Sequence, residues 1–249
     1  MTTDPFVYLV ASVAVTCLGL SKGGFIGFGL IATPLLALAI PPLEAAAILL
    51  PIMLAQDVFS AWSFRHDWDF RTLSIMLPGS FFGIALAWIL ASYSNEGLVR
   101  LAVGIVGVSF AISHWIGLKT NPQSSLSGVF WGVVAGFTGT LANAGGPPFL
   151  IYALSQDLAK MTFVGTAAIY FLVLNATKII PFLALGQLSK QNLETSALLL
   201  PLAIIANLVA IRLVRRMPSS TFYRGSYGLV LAVSIGLMWQ GITDRGGKP

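Results

Sequence analysis

Two hydrophobic stretches, residues 6–40 and 124–155, are too long for one membrane crossing, and each is interrupted at a glycine pair. The first, 35 residues, would be about 52 Å as one helix at 1.5 Å per residue, against a hydrocarbon core of about 30 Å. It contains Ser21-Lys22-Gly23-Gly24, and the second contains Asn143-Ala144-Gly145-Gly146-Pro147-Pro148. Glycine pairs weaken a helix, and the two prolines withdraw two backbone donors at the break. Each stretch is therefore expected to be two shorter helices meeting at a polar break. Six more apolar stretches, 43–64, 72–92, 97–118, 161–186, 195–214 and 221–242, each suit a single span. The expected fold is an all-α, polytopic membrane bundle of 8–10 membrane segments.

Composition agrees with a hydrocarbon environment. Charged residues make up 9% and the mean hydropathy is +0.85, whereas a soluble domain carries about 25% charge to face water. The net charge of +5 does not point to nucleic acid, because the basic residues sit singly in short loops. Cys17 is the only cysteine, which excludes an intramolecular disulfide. His66 and His114 are isolated, and Arg65-His66-Asp67 reads as a solvated loop. Met1–Pro5 lacks the basic region of a cleavable signal, so the first segment is expected to be retained. With no P-loop, nucleophile elbow, HExxH or haem motif, neither an enzyme nor a cofactor or metal is expected.

An internal repeat emerges when the breaks are aligned. Asp69–Pro78 (DFRTLSIMLP) falls over Asn192–Pro201 (NLETSALLLP), each closing a polar loop and entering a helix through Leu-Pro. The halves are residues 1–120 and 121–249. If each long stretch folds back, Arg65, Arg71, Lys119, Lys160, Arg212, Arg215, Arg216 and Arg224 share one side. Arg100, Lys190, Arg245 and Lys248 then share the other. That bias is expected of a cytoplasmic face, and it inverts one half relative to the other, as in many secondary transporters.

A break inside the membrane must be buried in protein or line a watery cavity, since hydrocarbon cannot satisfy its backbone. Helix N-termini offer oriented N–H donors and partial positive charge, so two related breaks suit an anion. Candidate substrate-binding residues are Lys22, Gly23, Gly24, Asn143, Gly145 and Gly146. The glycines alone could also serve close helix packing, but packing does not account for a lysine beside them. Gln56 and Asp57 lie 32 and 33 residues after Gly24, and Lys178 lies 32 after Gly146. An acid and a base thus occupy near-equivalent depths. Asp57 and Lys178 either form an ion pair clamping the halves or meet substrate and a coupling proton. Asn175 and Thr177 extend that polar lining. Glu44 suits a helix N-terminus. Trp62, Trp68, Trp88, Trp115 and Trp239 suit an interfacial belt, into which Trp131 fits less well.

These residues resemble the sulfite exporter TauE/SafE family of membrane permeases. The resemblance spans nearly the whole chain and rests on GLSKGGFIGFGLIATPLLAL at 19–38, HDWDFRTLSIMLPG at 66–79, GFTGTLANAGGPPFLIYAL at 136–154, and the helix that follows. It implies a duplicated helical membrane protein in a bacterial inner membrane, moving anions such as sulfite, sulfonates or sulfoacetate. Two positions depart from the family pattern: the glycine run at Gly23-Gly24 is short, and Asn143 stands where close relatives carry histidine. The expected function is a multi-pass cell-membrane secondary transporter for a small anion, with the lipid bilayer and a coupling ion such as H+ as partners. An anion channel and a transporter of small carboxylates are the alternatives.

Overall fold

The computed structural model describes residues 5–25, 29–37, 40, 42–93 and 124–222. The expected spans at 97–118 and 221–242, with Trp115, Trp239 and the loop charges Arg100, Lys119, Arg224, Arg245 and Lys248, lie almost wholly outside them. The described residues form eight helices: α1 (Pro5–Lys22), α2 (Gly29–Ala37), α3 (Pro42–Ser63), α4 (Phe70–Tyr93), α5 (Ser125–Ala142), α6 (Gly146–Leu154), α7 (Lys160–Ala184) and α8 (Lys190–Arg216). Helices α3, α4, α7 and α8 are long and apolar enough to cross a membrane.

Both long stretches divide at their glycines. Helix α1 ends at Lys22, and Gly24 turns the chain at a φ of 132° while the Phe25 amide reaches back to the Leu20 carbonyl. Helix α5 ends at Asn143, whose φ of 53° is left-handed, a conformation that asparagine tolerates better than most residues. Pro147 and Pro148 then open α6. In a first helical turn the missing N–H groups would have had no helical partner, so these prolines cost no hydrogen bonds. Helices α2 and α6, as described, have nine residues each, about 13 Å of rise, fewer than the roughly 20 residues that a single crossing needs.

Contacts between helices fix their directions. On α1, the Cβ positions of Gly19 and Gly23 face Ala206 and Ala210 of α8. On α3, Ile48, Gln56 and Ser60 bond Ser196, Ala203 and Asn207 of α8. Helices α1, α3 and α8 are therefore parallel, and the chain reverses between Lys22 and Pro42. Helix α7 runs opposite to α3, with Asn175 beside Asp57 and Thr166 beside Asp69. Helices α4 and α5 run together and share α7's direction: Gly79 and Gly83 lie on the Val129 and Val133 carbonyls, and Ser80 meets Tyr170. Helices α5–α8 thus repeat the order long–short–long–long of α1–α4 with every direction established here reversed.

Glycine carries the tightest packing. Added Cβ atoms at Gly79, Gly83, Gly132 and Gly136 would lie 2.1–2.3 Å from carbonyl oxygens of the facing helix. Small residues let membrane helices approach this closely, where van der Waals contact replaces the hydrophobic effect. Apolar side chains of α4 and α8, such as Phe82, Ile89, Ile205 and Val209, are exposed outward, as a hydrocarbon surround requires. Arg65, Arg71, Lys160, Arg212, Arg215 and Arg216 gather at one end of the bundle, and Lys190 lies at the other. At the basic end Arg215 donates to the Ser63 carbonyl, and Lys160 donates to the Val214 and Met217 carbonyls. Arg65, His66 and Asp67 are exposed in the α3–α4 loop, Trp62 and Trp68 are exposed near it, and Trp131 is buried.

Candidate functional site

The C-terminal ends of α1 and α5 and the N-terminal ends of α2 and α6 converge on one cavity, closed by α3 and α7. Its polar lining is Ser21, Lys22, Asp57, Asn143, Asn175 and Lys178. Glycines 24, 29, 139, 145 and 146 and apolar side chains including Leu18, Met53, Val164, Phe171 and Leu174 make up the rest. The free volume is about 50 Å³. One water needs roughly 10–15 Å³ on this measure, so the cavity suits an occupant of a few heavy atoms.

Two polar clusters line it, and Asn175 of one and Lys178 of the other are a turn apart on α7. Lys22 Nζ lies 2.8 and 3.1 Å from the two oxygens of Asp57, and over the Phe171 ring at 4.8 Å. Asn175 Nδ2 donates to Asp57 at 2.6 Å. In the second cluster, Lys178 Nζ donates to the Gly139 carbonyl at 2.9 Å and to Asn143 Oδ1 at 3.0 Å, while Asn143 Nδ2 donates to Thr33 of α2 at 3.1 Å. Each partnership joins a break residue to a spanning helix 35 residues later: Lys22 with Asp57, and Asn143 with Lys178. The acid and the base occupy the same station in the two halves.

Hydroxyls secure the broken ends themselves. Ser60 donates to the Lys22 carbonyl at 2.7 Å and accepts from Asn207 at 3.0 Å. Thr138 donates to the Val134 and Ala144 carbonyls at 2.8 and 3.0 Å. Backbone groups released by the breaks thus find partners inside the protein, as a hydrocarbon setting demands.

Eight of the ten residues expected from sequence line the cavity: Lys22, Gly24, Asp57, Asn143, Gly145, Gly146, Asn175 and Lys178. Gly23 and Gln56 do not. The Cβ position of Gly23 lies 2.3 Å from Ala210 Cβ, so its small size serves the α1–α8 packing. Gln56 is buried against α8, donating to the Ala203 carbonyl at 2.9 Å. Of the two readings of Asp57 and Lys178, the ion pair between them is not formed: Asp57 pairs with Lys22 of its own half and Lys178 donates to neutral oxygens. Thr177 bonds its own helix at Val173 and extends no lining. Phe171, Thr33, Ser60 and Thr138 were not anticipated. Their importance comes from neighbours distant in sequence, although Thr33 lies within the first broken stretch.

A protein-family model described as sulfite exporter TauE/SafE matches residues 11–237. No curated protein matches the chain, and no solved structure does.

Proposed function

The chain belongs to the sulfite exporter TauE/SafE family, and from that premise we propose that it is a secondary transporter binding a small sulfur oxyanion or organosulfonate between its two broken helices. The observation that carries this reading is the buried amine of Lys178, whose two hydrogen-bond partners are both neutral oxygens. In its protonated form this amine has three donors, and one N–H is then left for a ligand. The N-terminal ends of α2 and α6 at the cavity add partial positive charge. Gly24, Gly145 and Gly146 keep the walls thin enough for an anion to approach backbone. Asn143 positions Lys178 and ties it to α2, so occupancy at the ammonium is felt at both breaks.

Residues 1–120 and 121–249 are one duplicated unit in inverted orientation, and transport is a rocking of one half against the other around the cavity. Exchange of partners at Lys22–Asp57 and Asn143–Lys178 couples occupancy to that motion. The basic end faces the cytoplasm, in keeping with the positive-inside bias.

Purified protein should gain thermal stability with sulfite, thiosulfate or a sulfonate in a saturable, concentration-dependent way at fixed ionic strength. A ligand at 100 times its Kd stabilises by about 2.7 kcal/mol. The Lys178→Met protein should show no such gain. Stabilisation by small carboxylates alone would redirect the substrate assignment, and no saturable response to any of these anions would refute the proposal. Reconstituted protein should also show counterflow, which a channel does not.

A further inference from the structure

Lys178 has one partner too few for an ammonium and the right number for an amine. Its Nζ donates to the Gly139 carbonyl at 2.9 Å and to Asn143 Oδ1 at 3.0 Å. A protonated lysine has three N–H donors, whereas the neutral amine has two and a lone pair. The two acceptors satisfy the neutral form and leave one donor of the charged form over. Charge leads to the same state. Among the described residues, the ionisable groups lining the cavity beside Lys178 are Lys22 of α1 and Asp57 of α3, which pair with each other at 2.8 Å. That pair cancels wherever its proton lies, as ammonium and carboxylate or as amine and acid. The cavity residues from α2, α5 and α6 are neutral, as is Asn175 on α7. Lys178 is 2% exposed, and a buried ammonium without a counter-charge is costly inside a membrane protein.

Resting on the anion-transport reading above, we infer that a proton and the anion occupy the site together, with Lys178 as the residue that takes the proton. In the empty site Lys178 is an amine, and its lone pair is the one position on Nζ without a protein partner among the described residues. A proton from water adds there and forms the third N–H, and an oxygen of the anion accepts from it. No bond within the anion breaks. Each arrival favours the other. The anion supplies the counter-charge that the new ammonium lacks, and the proton supplies the charge and the donor that the anion needs. Empty and loaded sites then both lack net charge, so both can pass between the membrane faces without carrying charge across. One proton moves with each singly charged anion.

Methanesulfonate is a suitable probe, because it holds no proton of its own near neutral pH, so any proton taken up on binding goes to the protein. Calorimetric titration of the purified protein, in buffers of different ionisation heat, counts those protons. Between about pH 6 and about pH 9, uptake should rise toward one proton per anion, and affinity should fall by up to about tenfold per pH unit. Lys178→Arg keeps a positive charge that does not titrate. It should bind methanesulfonate without proton uptake and with an affinity that is flat over the same range. Uptake of a full proton by Lys178→Arg would overturn the assignment. Should that variant not fold, the near-isosteric Asn143→Asp sets a carboxylate against the amine, which then holds its proton before the anion arrives. Uptake should fall below about half a proton, and affinity near the acidic limit should drop by at least about tenfold. Wild-type uptake and affinity in Asn143→Asp would overturn the assignment too. Wild-type binding that takes up no proton and does not vary with pH removes this inference and leaves the transport reading standing. Failure to bind any anion at any pH removes that reading itself.

Discussion

At the scale of single residues, Lys22 and Lys178 do different work although both are lysines in apolar sequence. Lys22 is spent on Asp57, and their side chains are 9% and 1% exposed. Removing one member of a buried pair leaves the other charge uncompensated, at about 3–5 kcal/mol. Lys22→Met should therefore lower unfolding stability by that order in detergent and weaken anion binding. Adding Asp57→Asn should restore most of the stability. A Lys22→Met protein as stable as the wild type would contradict the pairing. The lysine itself was legible in sequence, because a cation beside a glycine pair in hydrocarbon has few bland explanations. Its partner was not. Comparing depths across the halves suggested Asp57 with Lys178, whereas the spacing of 35 within each half was equally present and is the one realised. Phe171 gave no signal, since one aromatic among many apolar residues is unremarkable until the fold brings it beneath Lys22.

At the scale of elements, the breaks were foreseeable and the helix packing less so. Over-long apolar stretches cannot be single spans, and the glycine pairs marked where they divide. What remained open was whether the pieces after the breaks cross the membrane. As described, these pieces are helices of nine residues each, a rise of about 13 Å, and residues 38–39 after Ala37 lie outside the described residues. The spacings Gly79-x3-Gly83 and Gly132-x3-Gly136 were present in the sequence, but sequence alone does not say which helix a small-residue face meets. A side chain at Gly136 would enter the Ser80 carbonyl at 2.1 Å, so Gly136→Leu should leave little folded protein by size-exclusion chromatography. Gly186 has nothing within 4 Å of its Cβ position. Gly186→Ala should lose only the roughly 1–2 kcal/mol of a left-handed φ and elute as the wild type does.

At the scale of the whole molecule, the long helices of the two described sets run in opposite senses, and their breaks meet at one cavity. Loop charge pointed toward an inversion, because folding back the long stretches sorted the basic residues to one side, though Arg100, Lys119, Arg224, Arg245 and Lys248 lie outside the described residues. The same charges make orientation testable. In a Cys17→Ser background, a cysteine at His66 should react with an impermeant maleimide only from the cytoplasmic side, and one at Gln191 only from the opposite side. Labelling of both from one side would refute the opposed ends. The central claim is that an anion sits between the two breaks, and it is tested most directly by locating a heavy-atom analogue. Crystals or reconstituted samples loaded with selenite or a small brominated sulfonate should show one strong anomalous peak in the cavity, in contact with Lys178 Nζ and near Asn143, Gly145 and Gly24. A saturably bound analogue whose peak lies elsewhere, with the cavity empty, would contradict the account.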